Sequence, residues 1–224
     1  MPASPPIHID GPRIDGAKAF QSAFGVSHET VEKFETYAAL LKRWQKTINL
    51  VAPSTVHDVW HRHFADSAQL FAHAPLAGGH WLDVGSGAGF PGLVLAIMAS
   101  ERGGTRHTFI ESDTRKCAFL REVARATGTA VEIVTARIEL PETAAKVGQV
   151  QCVTARALAP LSRLASWVAP YFSGETMGLF LKGRDVASEL NEALKAWDFE
   201  YQLLPSVTDD AGRIVKMSGL RAKV

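Results

Sequence analysis

Trp81-Leu82-Asp83-Val84-Gly85-Ser86-Gly87-Ala88-Gly89-Phe90-Pro91-Gly92 is the stretch whose reading decides the fold. An apolar strand over 81–84 runs into a turn with four glycines in eight residues, and an apolar helix is expected over 90–100. Glycines there let the backbone turn tightly and bring main-chain N–H groups close to a ligand with no Cβ between. Downstream, strand and helix patterns alternate. Strands are expected over 105–110, 130–134, 150–154 and 177–181, with helices over 114–127 (ended by Gly128), near Pro141, and over 161–172 and 186–197. Segments 199–204 and 213–217 read as a closing hairpin across the loop Thr208–Gly212. Strands separated by helices of this length mean βαβ units, a mostly parallel Rossmann-like sheet of seven strands, and right-handed crossovers.

Upstream of the loop the pattern is helical. Residues 1–15 hold Pro2, Pro5, Pro6, Gly11 and Pro12 and read as a flexible tail. Residues 16–79 read as a helical N-terminal extension, and 80–224 as the α/β domain. Ser27 is a candidate N-cap for a helix whose apolar stripe is Val31, Phe34, Ala38, Leu41 and Ile48. Pro53 interrupts it, and Ser54 or Thr55 can cap a further helix through Val59, Phe64 and Leu70. Pro75, Gly78 and Gly79 mark the boundary.

Composition narrows the class. The chain has 224 residues, 46% of them apolar, which is ample for a buried core. No apolar run is long enough for a membrane helix, and the N-terminus lacks the pattern of a secretory signal. Cys117 and Cys152 form neither a disulfide framework nor a zinc spacing, so a reducing cytoplasm is the expected compartment. His57, His61 and His63 include an i, i+4 pair, but with no third ligand at a standard spacing no metal is expected.

Two cofactors compete for the loop. Gly87-x-Gly89-x-x-Gly92 matches the dinucleotide fingerprint, while Asp83-x-Gly85-x-Gly87-x-Gly89 matches the loop of class I S-adenosyl-L-methionine (SAM) methyltransferases. A pyrophosphate wants a helix N-terminus free of carboxylates. Asp83 would sit near that site, and an acid at the strand end suits the sulfonium and ammonium of SAM instead. Glu111, ending the next strand, can accept both ribose hydroxyls and serves either reading.

The blocks around the loop narrow the choice. The Phe90-Pro91-Gly92 extension resembles the bacterial 16S ribosomal RNA guanine-N7 methyltransferases, the RsmG or GidB family. Further blocks resemble it in order: Leu41 to Leu50 with Trp44 and Asn49; Arg62-His63 with Asp66-Ser67; Glu111-Ser112 with Arg115-Lys116; Ala136 to Glu139; Thr154 to Ala157; and Leu181-Lys182-Gly183. Gln45 departs from the usual Asn, and Ala155 from a common Ser. The resemblance implies methyl transfer from SAM to N7 of one guanine, position 527 in the usual rRNA numbering, on the small ribosomal subunit or its precursor. It implies a class I methyltransferase fold, a monomer and no membrane partner. By motif position it places Gly85 and Phe90 at the SAM site, Ile138 and Glu139 near the adenine, Glu111 on the ribose, and Arg156 at the active-site mouth as the candidate catalytic residue. A SAM methyltransferase with another acceptor, or a non-catalytic dinucleotide module, is the alternative.

Guanine N7 has a free lone pair and no proton, so its methylation needs no general base. No Ser-His-Asp, paired-carboxylate or Cys-His constellation is placed on strand ends. The net charge of +1 looks unlike that of an RNA binder. Counted by segment it is uneven: residues 102–163 hold ten basic and six acidic side chains, and 211–224 four basic and none acidic. Residues 175–210 hold three basic and eight acidic. The chain therefore offers basic stretches for phosphates, yet too little total charge to bind naked RNA strongly.

Overall fold

The computed structural model describes residues 13–75 and 78–223. Most of the expected tail lies outside the described residues. The helices α1 (Ala17–Phe24) and α2 (His28–Trp44) open the chain. Ser27 caps α2 as expected, its hydroxyl accepting from the Thr30 N–H at 3.1 Å. Thr30, Val31, Phe34, Tyr37 and Leu41 form its buried stripe. The next helix differs from the expectation. Between Pro53 and Ala72 the chain runs as short pieces: a 3-10 turn (Pro53–Asp58), a π-helical turn (Trp60–Ala65), α3 (Asp66–Ala68) and a second 3-10 turn (Gln69–Ala72). The irregular winding lets side chains on both sides of this segment find partners, as described below, at the cost of regular helical spacing.

The α/β part follows the alternation: β1 (Gly79–Val84), α4 (Gly92–Ala99), β2 (Thr105–Glu111), α5 (Thr114–Thr127), β3 (Glu132–Thr135), α6 (Pro141–Val147), β4 (Cys152–Arg156), α7 (Leu161–Val168), β5 (Met177–Lys182), α8 (Val186–Ala196), β6 (Trp197–Pro205) and β7 (Arg213–Ala222). The order across the sheet is β3-β2-β1-β4-β5-β7-β6, parallel except for β7, which runs antiparallel to both neighbours. The chain winds outward from β1 to β3 and then returns to start again at β4. That reversal leaves a crevice above the carboxyl ends of β1 and β4, where ligands of such sheets bind.

Several boundaries moved, that of β7 the furthest, which runs on to Ala222 rather than stopping at 217. α4 begins at Gly92 rather than Phe90, because residues 85–91 are spent on the loop. α8 stops at Ala196, and Trp197 joins a nine-residue β6. The helix after Pro160 ends at Val168 and closes with a 3-10 turn through Tyr171.

One core packs the extension against α4 and α5 on one face of the sheet. Phe20, Phe34, Tyr37, Phe64, Phe90 and Phe119 form its aromatic centre, with ring centroids 4.8–6.5 Å apart in successive pairs. The other face is covered by α7 and α8. Glu122 on α5 holds the far end of α2, taking the Trp44 indole N–H at 2.7 Å and pairing with Arg43.

Gln45 answers the question its substitution raised. Its Oε1 accepts from the Leu50 and Val51 N–H groups, both at 3.0 Å, and its Nε2 donates to the Val51 carbonyl at 2.8 Å. The turn after α2 is folded around this one amide. Gln45→Ala is expected to lower stability by about 1–3 kcal/mol, the cost of leaving such backbone groups unpaired. Urea denaturation with an unchanged midpoint would show that the turn holds itself.

Candidate active site

The glycine loop leaves β1 at the reversal point. Gly85, Gly87 and Gly89 have φ of 65°, 55° and 91°, the left-handed region that side chains rarely adopt. The Gly85 and Ser86 N–H groups donate to the Ile110 carbonyl at 2.9 and 3.2 Å, carrying the loop across the top of β2. The Gly87 N–H donates to Glu111 Oε2 at 2.8 Å, and the Asp113 N–H to Oε1 at 2.7 Å. Glu111, only 8% exposed, thus ties the loop to the start of α5. A Cβ on Gly87 would meet nothing nearer than the Gly85 carbonyl at 3.7 Å. Its side faces open space, whereas Gly89 and Gly92 are hemmed in by protein.

Asp83 is 2% exposed and lies beneath the loop. Thr154 Oγ1 donates to its Oδ1 at 2.6 Å. A Cβ on Gly92 would come within 2.7 Å of its other oxygen, so the last glycine of the motif is what lets the carboxyl pack against the first turn of α4. Burial pushes its pKa up to about 6, with the Thr154 hydrogen bond pulling the other way. The sequence pointed to an acid facing a bound cation. The structure places Asp83 as an internal brace of the loop.

Two clefts flank the loop. One, of about 400 Å³, lies over the ends of β2 and β3 and is lined by Ser112, Asp113, Thr114, Ala136 and Arg137. Ile138 is buried in the core close by in sequence, and Glu139 is on the surface, 3.3 Å from Arg137 Nη1. The other, of about 370 Å³, lies over the ends of β4 and β5, with Arg62, Asp66, Arg156, Leu158 and Arg213 among its walls. Leu158, on the wall of this second cleft, lies directly against Gly85, where any Cβ would collide with it. Ala157 before it has φ 52°, a strained conformation for a residue with a side chain. Lys182 and Glu189 brace this segment. Lys182 Nζ donates to the Ala159 carbonyl at 2.7 Å and to Glu189 Oε2 at 2.6 Å, and the same oxygen takes the Leu161 N–H at 2.7 Å.

Arg156 reaches across to the extension. It donates to Asp66 Oδ2 at 3.1 Å, to the Arg62 carbonyl at 3.0 Å and, through Nη2, to His63 Nδ1 at 2.8 Å. Its guanidinium also stands 5.0 Å above the Phe90 ring. His63 is buried, and burial together with the positive charges of Arg156 and Arg62 lowers its pKa to about 3. It is therefore neutral and can accept the arginine N–H. Asp66 also takes the Thr208 hydroxyl at 2.8 Å. Gln69 donates to Ser206 Oγ at 3.1 Å and accepts the Val207 N–H at 2.9 Å. These bonds dock the β6–β7 loop, read from sequence only as a turn, onto the extension.

Of the residues named from sequence, Asp83, the glycines and Glu111 meet in one loop, and Arg156 faces the neighbouring cleft. Phe90 is 4% exposed, with its ring packed between Tyr37 and His63 rather than turned to a cleft. The sequence reading missed Thr154, Leu158 and Glu189 as site-shaping residues. Gly92, inside the expected helix where glycine is disfavoured, was the available signal for close packing against Asp83.

Comparison with known proteins is consistent across the chain. Residues 30–213 match the GidB family, described as rRNA small subunit methyltransferase G. A protein of that name from Parvibaculum lavamentivorans is 47% identical over 210 residues, spanning 94% of this chain and 92% of its own. One from Methylorubrum extorquens is 50% identical over 198 residues, spanning 87% and 91%. Among solved structures, a precorrin-6y C5,15-methyltransferase from Geobacter metallireducens superposes with a TM-score of 0.53 at 13% identity, over 76% of this chain and 91% of its own. A mutant of MtNAS in complex with S-adenosylmethionine superposes at 0.56 and 15%, over 90% and 82%. At such identities these two speak for the fold alone.

Two outcomes follow from the loop. Gly87→Ala adds a methyl only toward open space, so the fold should lose about 1–2 kcal/mol for the left-handed alanine. Gly89→Ala meets Tyr37 Oη at 2.5 Å and Leu93 Cβ at 2.9 Å, and should lose roughly 2–5 kcal/mol. Equal losses in thermal or urea unfolding would contradict this division. Asp83 gives a pH signature. Below about pH 4 it is protonated folded or unfolded; above about pH 6 it is ionised in both, and the folded state carries the whole burial cost, about 3 kcal/mol. The stability of the protein relative to Asp83→Asn should therefore fall as pH rises from about 4 to 6 and stay level beyond. A difference independent of pH would mean the carboxyl is not desolvated.

Proposed function

Because the chain belongs to the rRNA small subunit methyltransferase G family, we propose that it methylates N7 of one guanine of 16S rRNA, with SAM as methyl donor. The observation that carries the reading is the pair of clefts over the ends of β2–β3 and of β4–β5, on the two sides of the point where the sheet order reverses. The cleft over β2 and β3 is on the donor's side, and that over β4 and β5 on the acceptor's.

The residues present fit the donor. Gly87 opens a place that a Cβ would fill, and the Glu111 carboxylate beside it can still accept ribose hydroxyls. Gly85 and Gly89 shape the loop, and Ile138 and Glu139 belong to the segment beside the adenine. Phe90 acts from beneath by holding the loop. Bound there, SAM supplies an electrophilic methyl group. The chain's own work is then to orient. N7 needs no proton removed, and the titratable groups packed beside Arg156 and the loop are engaged: His63 is neutral and bonded to Arg156 and Thr55, and Asp83 is sealed under the loop. Holding N7 in line with the transferred methyl can lower the barrier by roughly 7–11 kcal/mol. Arg156, fixed by Asp66, His63 and Phe90, is the cation at the acceptor cleft, positioned for a guanine edge or a phosphate.

Among the described residues no helix is long and apolar enough to cross a membrane. A cytoplasmic monomer acting on the small subunit or its precursor suits this and the near-neutral total charge. A protein-bearing substrate would supply the shape recognition that charge alone does not.

The test uses small subunits and naked 16S rRNA from cells lacking the gene, incubated with enzyme and SAM, with N7-methylguanine mapped by borohydride and aniline cleavage. Methylation at the single family guanine, faster on the subunit, is expected. No N7 methylation on either substrate would refute the assignment. Arg156→Ala should reduce turnover by about 10²-fold while SAM still binds.

A further inference from the structure

The third glycine of the loop has a neighbour that none of the motifs explains. Tyr37, in the middle of α2, is fully buried, and its hydroxyl donates to the carbonyl of Ala88, inside the glycine loop and 51 residues away. Burial raises its pKa well above the ordinary phenol value, so it is a permanent donor. Its ring stacks on Phe90 at 5.4 Å with the planes 9° apart, and a Cβ on Gly89 would come within 2.5 Å of its oxygen. The left-handed backbone already favours glycine at 89, and the tyrosine oxygen leaves no room there for a Cβ. Phe90 in turn carries His63 at 4.9 Å and the Arg156 guanidinium at 5.0 Å. The helical extension therefore grips the donor loop through the Tyr37 hydroxyl and ring, and the Phe90 ring on which Tyr37 stacks also carries the arginine of the acceptor cleft.

We infer that Tyr37 is a positioning residue for the methyl donor: its hydroxyl fixes the Ala88 peptide, and with it the shape of the loop that binds SAM. The inference rests on the SAM reading of that loop. Gly87 and Glu111 shape the loop from the β2 side, and Tyr37 supplies the opposing contact from below. Without the hydroxyl the Ala88 carbonyl loses its partner inside the protein, and the peptide is free to turn toward water. Binding must then reorder it, which lowers affinity without touching the ligand.

Tyr37→Phe keeps the ring stack and removes only the hydroxyl. Phe34→Leu is the control. Phe34 is equally buried on the same helix, but packs on Phe20 and Phe64 at 4.8 and 5.0 Å rather than on the loop. Calorimetric titration with SAM should show a Kd raised about tenfold in Tyr37→Phe and within twofold of the parent in Phe34→Leu. The KM for small subunits should stay unchanged in both. Amide exchange of Gly87 and Gly89 should quicken in Tyr37→Phe while that of β1 and β4 does not. If the parent binds SAM and Tyr37→Phe binds it equally well, whatever its thermal stability, the tyrosine is merely structural and the inference is overturned. If the parent itself fails to bind SAM, the reading of the loop fails instead.

Discussion

The loop between β1 and α4 can hold three left-handed glycines only because other elements fill its hydrogen-bonding needs. The Ile110 carbonyl takes two of its N–H groups and Glu111 a third, while inside the loop the Ser86 carbonyl takes the Gly89 N–H at 2.6 Å. Thr154 fixes Asp83 from β4, and Tyr37 reaches the Ala88 carbonyl from α2. A loop of this kind left to itself would be an expensive, mobile turn, since glycine loses the most freedom on folding. Here β2, β4 and α2 converge on it, and the arrangement of those elements can be read as what the loop requires.

The same convergence leaves two clefts beside the sheet reversal, one over the ends of β2 and β3 and one over those of β4 and β5. On the wall of the second, Arg156 is held by neutral and anionic partners from the extension. Its pairing with Asp66 is partly buried, the side chains being 17% and 19% exposed, so the pair orders the site more than it stabilises the fold. Asp66 and Gln69 carry the same ordering on to the β6–β7 loop. The extension is in this sense a frame for both clefts.

Much of this was legible in the sequence. The apolar strand stretches and the punctuating glycines placed every strand of the sheet, their ends shifting by at most five residues, and Gly128 ends α5 where the pattern placed it. Residues 53–72 were not legible as they fold. Apolar residues at Val59, Phe64 and Leu70 look like one helix, but the segment winds as 3-10, π and α turns because tertiary hydrogen bonds from His63, Asp66 and Gln69 outweigh regular local ones. Motif position found Glu111 and Arg156 as polar groups at strand ends. Where the Asp83 and Phe90 side chains go was not legible, because a one-dimensional motif says which residues gather at the turn, not which side of the backbone each one takes. Their burial, the Gly92 backbone against Asp83 and the Tyr37 and His63 rings against Phe90 show that these two face inward.

The central claim is that this loop is a donor site already shaped by protein contacts. A crystal structure of the protein with S-adenosylhomocysteine, the demethylated product of the donor, tests it most directly. The account predicts the ribose at Glu111, the base over the Ser112–Thr114 and Ala136–Arg137 cleft, and a loop backbone within about 1 Å of its position here. A ligand bound elsewhere, or a loop refolded with Tyr37 released from Ala88, would contradict it.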